Sequence, residues 1–266
     1  MSESPTGTVV IEHDGPVAIV KLNKPEKLNA WSSDMDEGIR DFLLGLNAGE
    51  YDTRCVILTG EGRAFCSGAD VGNLLGSNPD RVEPPFRFRH SEHTSALMMR
   101  DCDVPIIGAI NGYAIGLGFG LALSTDLRIA ADDARFQVTQ LHRGLMGDYG
   151  LGYLLPDIVG KQRALDLMLT GRWVEVDEAL ALGLVLEVVP KAALMDRAME
   201  LAHQIAKGPA IGIAGSKRVV YMGDIDEFRR KMDWTTLAIQ RLFRTEDHVE
   251  GVRSFRERRS AEFRGR

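Results

Sequence analysis

The chain has 266 residues, of which 44% are hydrophobic and 26% are charged, and its formal net charge is −6. This composition is typical of a globular protein, and the mild acidity argues against a general nucleic-acid partner. No apolar run reaches the roughly 20 residues of a membrane span, and the first residues lack the basic and apolar regions of a secretory signal. Three widely separated cysteines match neither a disulfide framework nor a metal site. We therefore expect a cytoplasmic protein with no membrane partner, no metal and no redox cofactor.

Apolar runs and turn residues predict the secondary structure in chain order. Strands are expected at 17–22, 55–59, 105–110, 127–130, near 136 and at 185–189. Helices are expected after Ser32 or Ser33 and at about 86–101, 116–124, 161–170 and 177–182, and the pattern is helical beyond about 191. Residues 60–80 are rich in Gly, Asn and Ser and are predicted as loop. Strands that alternate with helices predict an α/β protein with a largely parallel sheet.

Three glycine-containing loops, 63–70, 111–120 and 143–150, are candidate functional segments. Small residues in the first two allow backbone N–H groups to approach a ligand closely. The second loop opens a helix, whose unpaired N–H groups favour an anion. Two such loops facing each other could hold one developing oxyanion, although glycines of this kind also serve tight turns alone. The GxG at 116–118 is not followed by the third small residue of a dinucleotide fingerprint.

Several separated motifs resemble those of the crotonase family, the enoyl-CoA hydratase/isomerase superfamily. They are LNKPEKLNA at 22–30, ILTG at 57–60 with SGAD at 67–70, INGYA at 110–114, and LTG at 169–171 with EALALGLV at 178–185. The resemblance covers nearly the whole chain. It implies an α/β fold with a crotonase-like ββα spiral core over residues 1–195 and a C-terminal α-helical trimerisation region over 196–266. It also implies an acyl-CoA thioester substrate, no separate cofactor, and a homotrimer or hexamer.

The resemblance assigns roles to residues of the first two loops. The oxyanion donors would be the backbone N–H groups of Ala69 and Leu117, where the family usually has glycine at the second position. The coenzyme A moiety would be held by the 27–30 stretch and the 67–70 loop. The substrate-binding residues that the resemblance implies are Lys27, Ala30, Ser67, Gly68, Asp70 and Gly116.

The acid residues depart from the hydratase pattern. Hydratases of this family carry two glutamates, and the matching positions here are Gly120 and Gln140, which cannot transfer a proton and are expected to shape the pocket. Asp148 matches the position where isomerases of the family shuttle a proton and where dehalogenases carry a nucleophile. Partial burial is expected to raise the pKa of Asp148 toward the range useful for catalysis. An aspartate in such a glycine-flanked turn could instead satisfy only local backbone groups.

A single carboxylate favours enoyl-CoA isomerisation, with Asp148 as acid/base, because a double-bond shift consumes no water. Three alternatives stay open: hydration using Asp148 alone, a hydrolase or dehalogenase reaction, and non-catalytic binding of acyl-CoA. His90 and His93 are weaker candidates for a base, since a solvated helix face explains them equally well.

Overall fold

The protein is described here by a computed structural model that covers residues 2–3, 7–70 and 94–266. Strands and helices alternate through its first two thirds. The strands are β1 Ser2–Glu3, β2 Val9–Asp14, β3 Val17–Leu22, β4 Cys55–Gly60, β5 Ala64–Cys66, β6 Ile106–Ile110, β7 Tyr113–Ile115, β8 Leu127–Ala131, β9 Arg135–Gln137, β10 Trp173–Glu175 and β11 Glu187–Val189.

Helices occupy most of the remaining described chain. The α-helices are α1 Ser33–Asn47, α2 Ser95–Asp101, α3 Leu117–Ser124, α4 Leu151–Val159, α5 Lys161–Thr170, α6 Val176–Ala181, α7 Leu194–Ala206, α8 Ala210–Val220, α9 Asp224–Leu242 and α10 Glu246–Glu257. Short 3₁₀ turns lie at Pro25–Lys27, Gln140–Arg143 and Lys191–Ala193. Within the described part of the chain, no helix is both long enough and apolar enough to cross a membrane.

The larger sheet has the strand order β1-β2-β3-β4-β6-β8-β11. The pairs β1–β2 and β2–β3 are antiparallel, and every later pair is parallel. The predicted parallel sheet is therefore confirmed, with an antiparallel edge added. Parallel strands need covered faces, and both faces of this sheet are covered. One face packs on the main core, and the other packs on α7 through Leu194, Ala198, Ala202 and Ala206.

A smaller sheet, ordered β10-β9-β7-β5, positions the candidate site. In each of three successive turns of the chain, a strand of the large sheet is followed at once by a strand of the small one: β4 by β5, β6 by β7, and β8 by β9. The strands β5 and β7 are parallel, with Cys66 opposite Ala114. Because parallel neighbours end at the same sheet edge, the loops that follow β5 and β7 emerge side by side.

The sequence missed several short elements. The predicted loop at 60–80 contains β5, and its part beyond residue 70 lies outside the described residues, as do 86–93 of the predicted helix at 86–101. Helix α4 was not predicted, and the strand expected at 185–189 is limited to Glu187–Val189. The helical C-terminal pattern holds to Glu257, after which residues 258–266 form no helix. The expected division between 195 and 196 falls inside α7.

Candidate active site

The loops after β5 and β7 are in direct contact. Gly68 has a φ of +93°, and a Cβ atom there would lie 2.9 Å from the carbonyl oxygen of Ile115 and 3.9 Å from the backbone nitrogen of Leu117. Only glycine accommodates both this φ and this close approach. The first two predicted loops therefore meet beside Leu117.

Hydrogen bonds to Trp31 set the direction of the Ala69 N–H group. The Trp31 N–H donates to the Gly68 carbonyl at 2.8 Å, and the Asp70 N–H donates to the Trp31 carbonyl at 3.1 Å. In this parallel bridge between Trp31 and Ala69, the polar backbone groups of Ala69 point away from Trp31. Ala69 itself is exposed.

The second predicted donor lies at the first residue of a helix. Leu117 begins α3 after Gly116, whose φ of +55° ends the preceding strand. The first N–H groups of a helix have no acceptor within the helix, and they sit at the positive end of its dipole. Because the two loops are in contact, the backbone N–H groups of Ala69 and Leu117 lie on adjoining turns.

The predicted coenzyme A segments also meet. The Lys27 ammonium lies 3.0 Å from the Asp70 carboxylate, and the Ser67 N–H donates to the Leu28 carbonyl at 3.0 Å. Ala30 is buried beside them. Lys27 is 55% exposed and Asp70 only 15%, so the ammonium faces solvent at the mouth of this arrangement, where a phosphate could reach it.

Buried Asn29 holds this segment in shape. Its side-chain amide donates to the carbonyls of Glu61 and Ala64 at 2.9 and 2.7 Å and accepts from the Lys24 N–H at 2.9 Å. Its φ of +54° is one that asparagine tolerates better than most residues. Asn29 therefore links the 24–30 turn to β5, the strand that precedes the loop of Gly68 and Ala69.

Asp148 lies half-buried in the third loop and accepts a hydrogen bond from the Gln140 amide nitrogen at 2.8 Å. Burial raises the pKa of Asp148, while the Gln140 hydrogen bond acts in the opposite direction. Gln140 in turn packs against the second loop, because a Cβ at Gly116 would lie 3.6 Å from its amide nitrogen. These contacts connect Asp148 to the residue that precedes Leu117.

Position 120 has no space for a side chain. A Cβ atom at Gly120 would overlap the carbonyl oxygen of Tyr149 and lie 3.4 Å from the Tyr149 Cβ. Gly120 is buried in α3 and serves close packing between this helix and the Asp148 loop. A glutamate at 120 therefore cannot be accommodated without moving the turn that carries Asp148.

Other titratable residues lie near the three loops or were candidates for a base. Cys66 is fully buried, and burial raises the pKa of its thiol to about 12. His142 is exposed beside the Gly171 carbonyl. His90 and His93 lie outside the described residues. Sequence reasoning missed the contribution of Trp31 and Tyr149, since neither bears a motif that points to this loop.

Comparison with known proteins decides the family. The family model for enoyl-CoA hydratase/isomerase matches residues 12–266. The chain belongs to the enoyl-CoA hydratase/isomerase family. It is 36% identical over 228 residues to a Mycobacterium bovis protein named probable enoyl-CoA hydratase echA12, covering 83% of this chain and 79% of that protein.

Members of the family with different names resemble this chain to a similar degree. It is 31% identical to the 1,2-epoxyphenylacetyl-CoA isomerase of Escherichia coli over 94% of this chain and 95% of that protein. An enoyl-CoA hydratase/isomerase structure from Pseudoalteromonas atlantica superposes with a TM-score of 0.87 at 28% identity, over 97% of this chain and 100% of that one. The crotonase fold is thus confirmed, while the names of relatives include both hydratases and an isomerase.

Proposed function

We propose that this family member shifts a carbon–carbon double bond in an enoyl-CoA, with Asp148 as acid/base. The proposal rests on the two residues, Gly120 and Gln140, that stand where hydratases of the family carry glutamates. The Gly120 backbone packs against the Tyr149 carbonyl and leaves no space for a side chain. The Gln140 side chain is neutral and donates a hydrogen bond to Asp148. One carboxylate suits a reaction that is proton-neutral overall.

The proposed chemistry begins with removal of a proton from C2 of a 3-enoyl-CoA by the Asp148 carboxylate. The C–H electron pair enters a dienolate whose negative charge rests on the thioester oxygen. The Ala69 and Leu117 N–H groups stabilise that charge, and loss of one such donor typically costs about 3 kcal/mol of transition-state stabilisation. Asp148 then returns the proton to C4, which restores the carbonyl and leaves the double bond between C2 and C3.

The raised pKa of Asp148 supports this role. A general base must be ionised to take a proton and basic enough to hold it until it is returned. Burial raises the pKa of Asp148 and so makes its carboxylate a stronger base. The hydrogen bond from Gln140 keeps the carboxylate in one orientation.

Hydration of a 2-enoyl-CoA is the second candidate. The Gln140 side-chain oxygen is buried and has no hydrogen-bond partner among the described residues. An unpaired acceptor beside Asp148 is suited to hold the attacking water, and several relatives are named hydratases. In this reading Gln140 and Asp148 replace the two glutamates of other hydratases.

Product analysis separates the candidates. Purified protein is incubated with a 3-enoyl-CoA, and the isomerase predicts the conjugated 2-enoyl-CoA as the first product. Asp148→Asn should lower kcat by about 10²-fold or more, whereas the matched variant of an exposed aspartate on α4, Asp157→Asn, should keep it. A 3-hydroxyacyl-CoA formed from 2-enoyl-CoA, without any reaction of the 3-enoyl substrate, would establish hydration instead.

Two further outcomes would reject both candidates. Release of halide or of a free carboxylate from a suitable thioester would indicate hydrolytic chemistry at Asp148. Tight binding without turnover over a broad set of acyl-CoA thioesters would indicate a binding protein.

A further inference from the structure

A partly buried cluster of three polar side chains lies behind the Asp148 turn. The Ser95 hydroxyl donates to the Asp36 carboxylate at 2.7 Å, and the Tyr149 hydroxyl oxygen lies 3.3 Å from the same carboxylate oxygen. The Ser95 and Tyr149 hydroxyls are also hydrogen-bonded to each other. The cluster joins α1, α2 and the residue next to Asp148.

Tyr149 has a backbone conformation that needs external support. Its φ is +50°, and the following Gly150 has a φ of +86°. For a residue with a Cβ this region costs about 1–2 kcal/mol, so the side chain must be held for the turn to persist. The direction of the Asp148 carboxylate depends on the same turn.

Three contacts supply that support. The hydroxyl is bonded to Ser95 and Asp36, the ring packs edge-on against Trp31 with 5.6 Å between centroids, and the carbonyl lies against Gly120. Trp31 also forms the backbone bridge to Ala69. Tyr149 therefore contacts Trp31, which orients the loop of Ala69, and it also contacts α3, the helix that begins at Leu117.

We propose that Tyr149 is a positioning residue, anchored through its hydroxyl to Ser95 and Asp36, that holds the Asp148 carboxylate in register with the two oxyanion donors. This inference rests on the proposed role of Asp148. Tyr149 is not itself a proton carrier, because burial and the nearby Asp36 carboxylate raise the pKa of its phenol well above the ordinary value. It acts as a fixed, protonated donor.

Tyr149→Phe tests the proposal, because it keeps the ring contact with Trp31 and removes only the hydroxyl. Misplacement of a catalytic group lowers the rate more than binding, so kcat should fall about tenfold or more while KM changes little. Tyr153→Phe is the matched control. Tyr153 is a buried tyrosine on α4 that stacks on Phe228 and bonds through its hydroxyl to Asp224, on the helix α9. It should lose comparable stability without the loss in kcat.

Hydrogen–deuterium exchange gives a readout that does not depend on activity. Amide exchange in peptides covering 145–150 should rise in Tyr149→Phe and stay unchanged in peptides from α7, whereas Tyr153→Phe should leave 145–150 unchanged. Asp36→Asn, which retains an acceptor oxygen, should restore most of the kcat that Asp36→Ala loses.

The outcomes separate this inference from the proposed function. If Tyr149→Phe retains both the wild-type kcat and wild-type exchange at 145–150, the positioning role is wrong. If Tyr149→Phe and Tyr153→Phe lose kcat equally and show the same amide exchange along the chain, Tyr149 contributes only to general stability. That result would overturn the proposal. If exchange rises at 145–150 but the wild type converts no enoyl-CoA, the proposed isomerase function fails while the anchoring of the turn stands.

Discussion

The backbone of Gly120 lies directly against the carbonyl oxygen of Tyr149, and this contact fixes the distance between α3 and the Asp148 turn. The position that resembles a hydratase glutamate is thus filled by the main chain of the neighbouring loop. The contact makes position 120 a packing site in this chain rather than an empty catalytic position.

Gly120→Ala should destabilise the fold and Gly120→Glu should not create a two-acid hydratase. The added Cβ overlaps the Tyr149 carbonyl, and such overpacking costs about 1–3 kcal/mol. Thermal unfolding measures the loss. The control is Gly152→Ala on α4, where an added Cβ meets nothing within 4 Å and the helix gains about 1 kcal/mol from the better helix former. Equal stability of the two alanine variants would contradict the packing argument.

Gln140→Leu should shift the pH profile of kcat/KM. The Gln140 amide donates to the Asp148 carboxylate and thereby lowers the pKa of Asp148 against the rise caused by burial. Removing the donor leaves burial unopposed, so the pKa rises further and the acid limb of the profile moves to higher pH. The control is Gln137→Leu, which loses a hydrogen bond to the Gly171 carbonyl that does not involve Asp148. A profile that moves equally in both variants, or toward lower pH in Gln140→Leu, would refute the link.

Asp148→Asn should stabilise the protein at neutral pH. Because the pKa of Asp148 is raised in the folded state, the folded chain binds this proton more tightly than the unfolded chain. The free energy of unfolding therefore falls as the pH rises from the unfolded to the folded pKa of Asp148. Above the folded pKa, the destabilisation by the ionised carboxylate is fully present. The melting temperature of Asp148→Asn should exceed that of the wild type at pH 7.

The stability difference should disappear below pH about 4, the ordinary carboxyl pKa, where Asp148 is neutral in both states. Asp157→Asn, at an exposed position on α4, is the matched control. A gain of equal size at pH 4 and pH 7 would mean that the carboxylate charge is not the cause.

Sequence reasoning located the loops of the site better than the small sheet that carries them. Buried strands such as β4 and β6 are recognisable because a short apolar run, 55–58 or 106–110, is soon followed by glycine or asparagine. The strands β5 and β7 have only three residues each, too few to show a period-two pattern. Their parallel pairing, which brings the loops at 63–70 and 111–120 together, is a tertiary property.

Helix α4 was missed for a different reason. Gly150, Gly152 and Pro156 are turn residues by composition, and they weaken the helical pattern of this segment. Burial of Leu151, Leu154 and Leu155 in the core outweighs that local preference. Similarly, the Gln140–Asp148 hydrogen bond joins residues eight apart across a turn, and its existence depends on backbone positions that no motif encodes.

Lys27→Ala should weaken binding of acyl-CoA but not of the same acyl group on pantetheine. The Lys27 ammonium is exposed beside Asp70 at the mouth of the candidate site, in the segment where the resemblance to the family implies contacts with coenzyme A. Pantetheine lacks the nucleotide phosphates. Because an exposed ion pair contributes up to about 1 kcal/mol, the KM for acyl-CoA should rise by about two- to fivefold.

The effect should weaken as ionic strength rises, since salt screens exposed charges beyond roughly 10 Å at 0.1 M. Lys231→Ala is the matched control, because Lys231 is a similarly exposed lysine that pairs with Glu227 on α9. An equal rise in KM for the acyl-CoA and acyl-pantetheine substrates would place the Lys27 effect on the thioester or acyl group, and the phosphate contact would then be wrong.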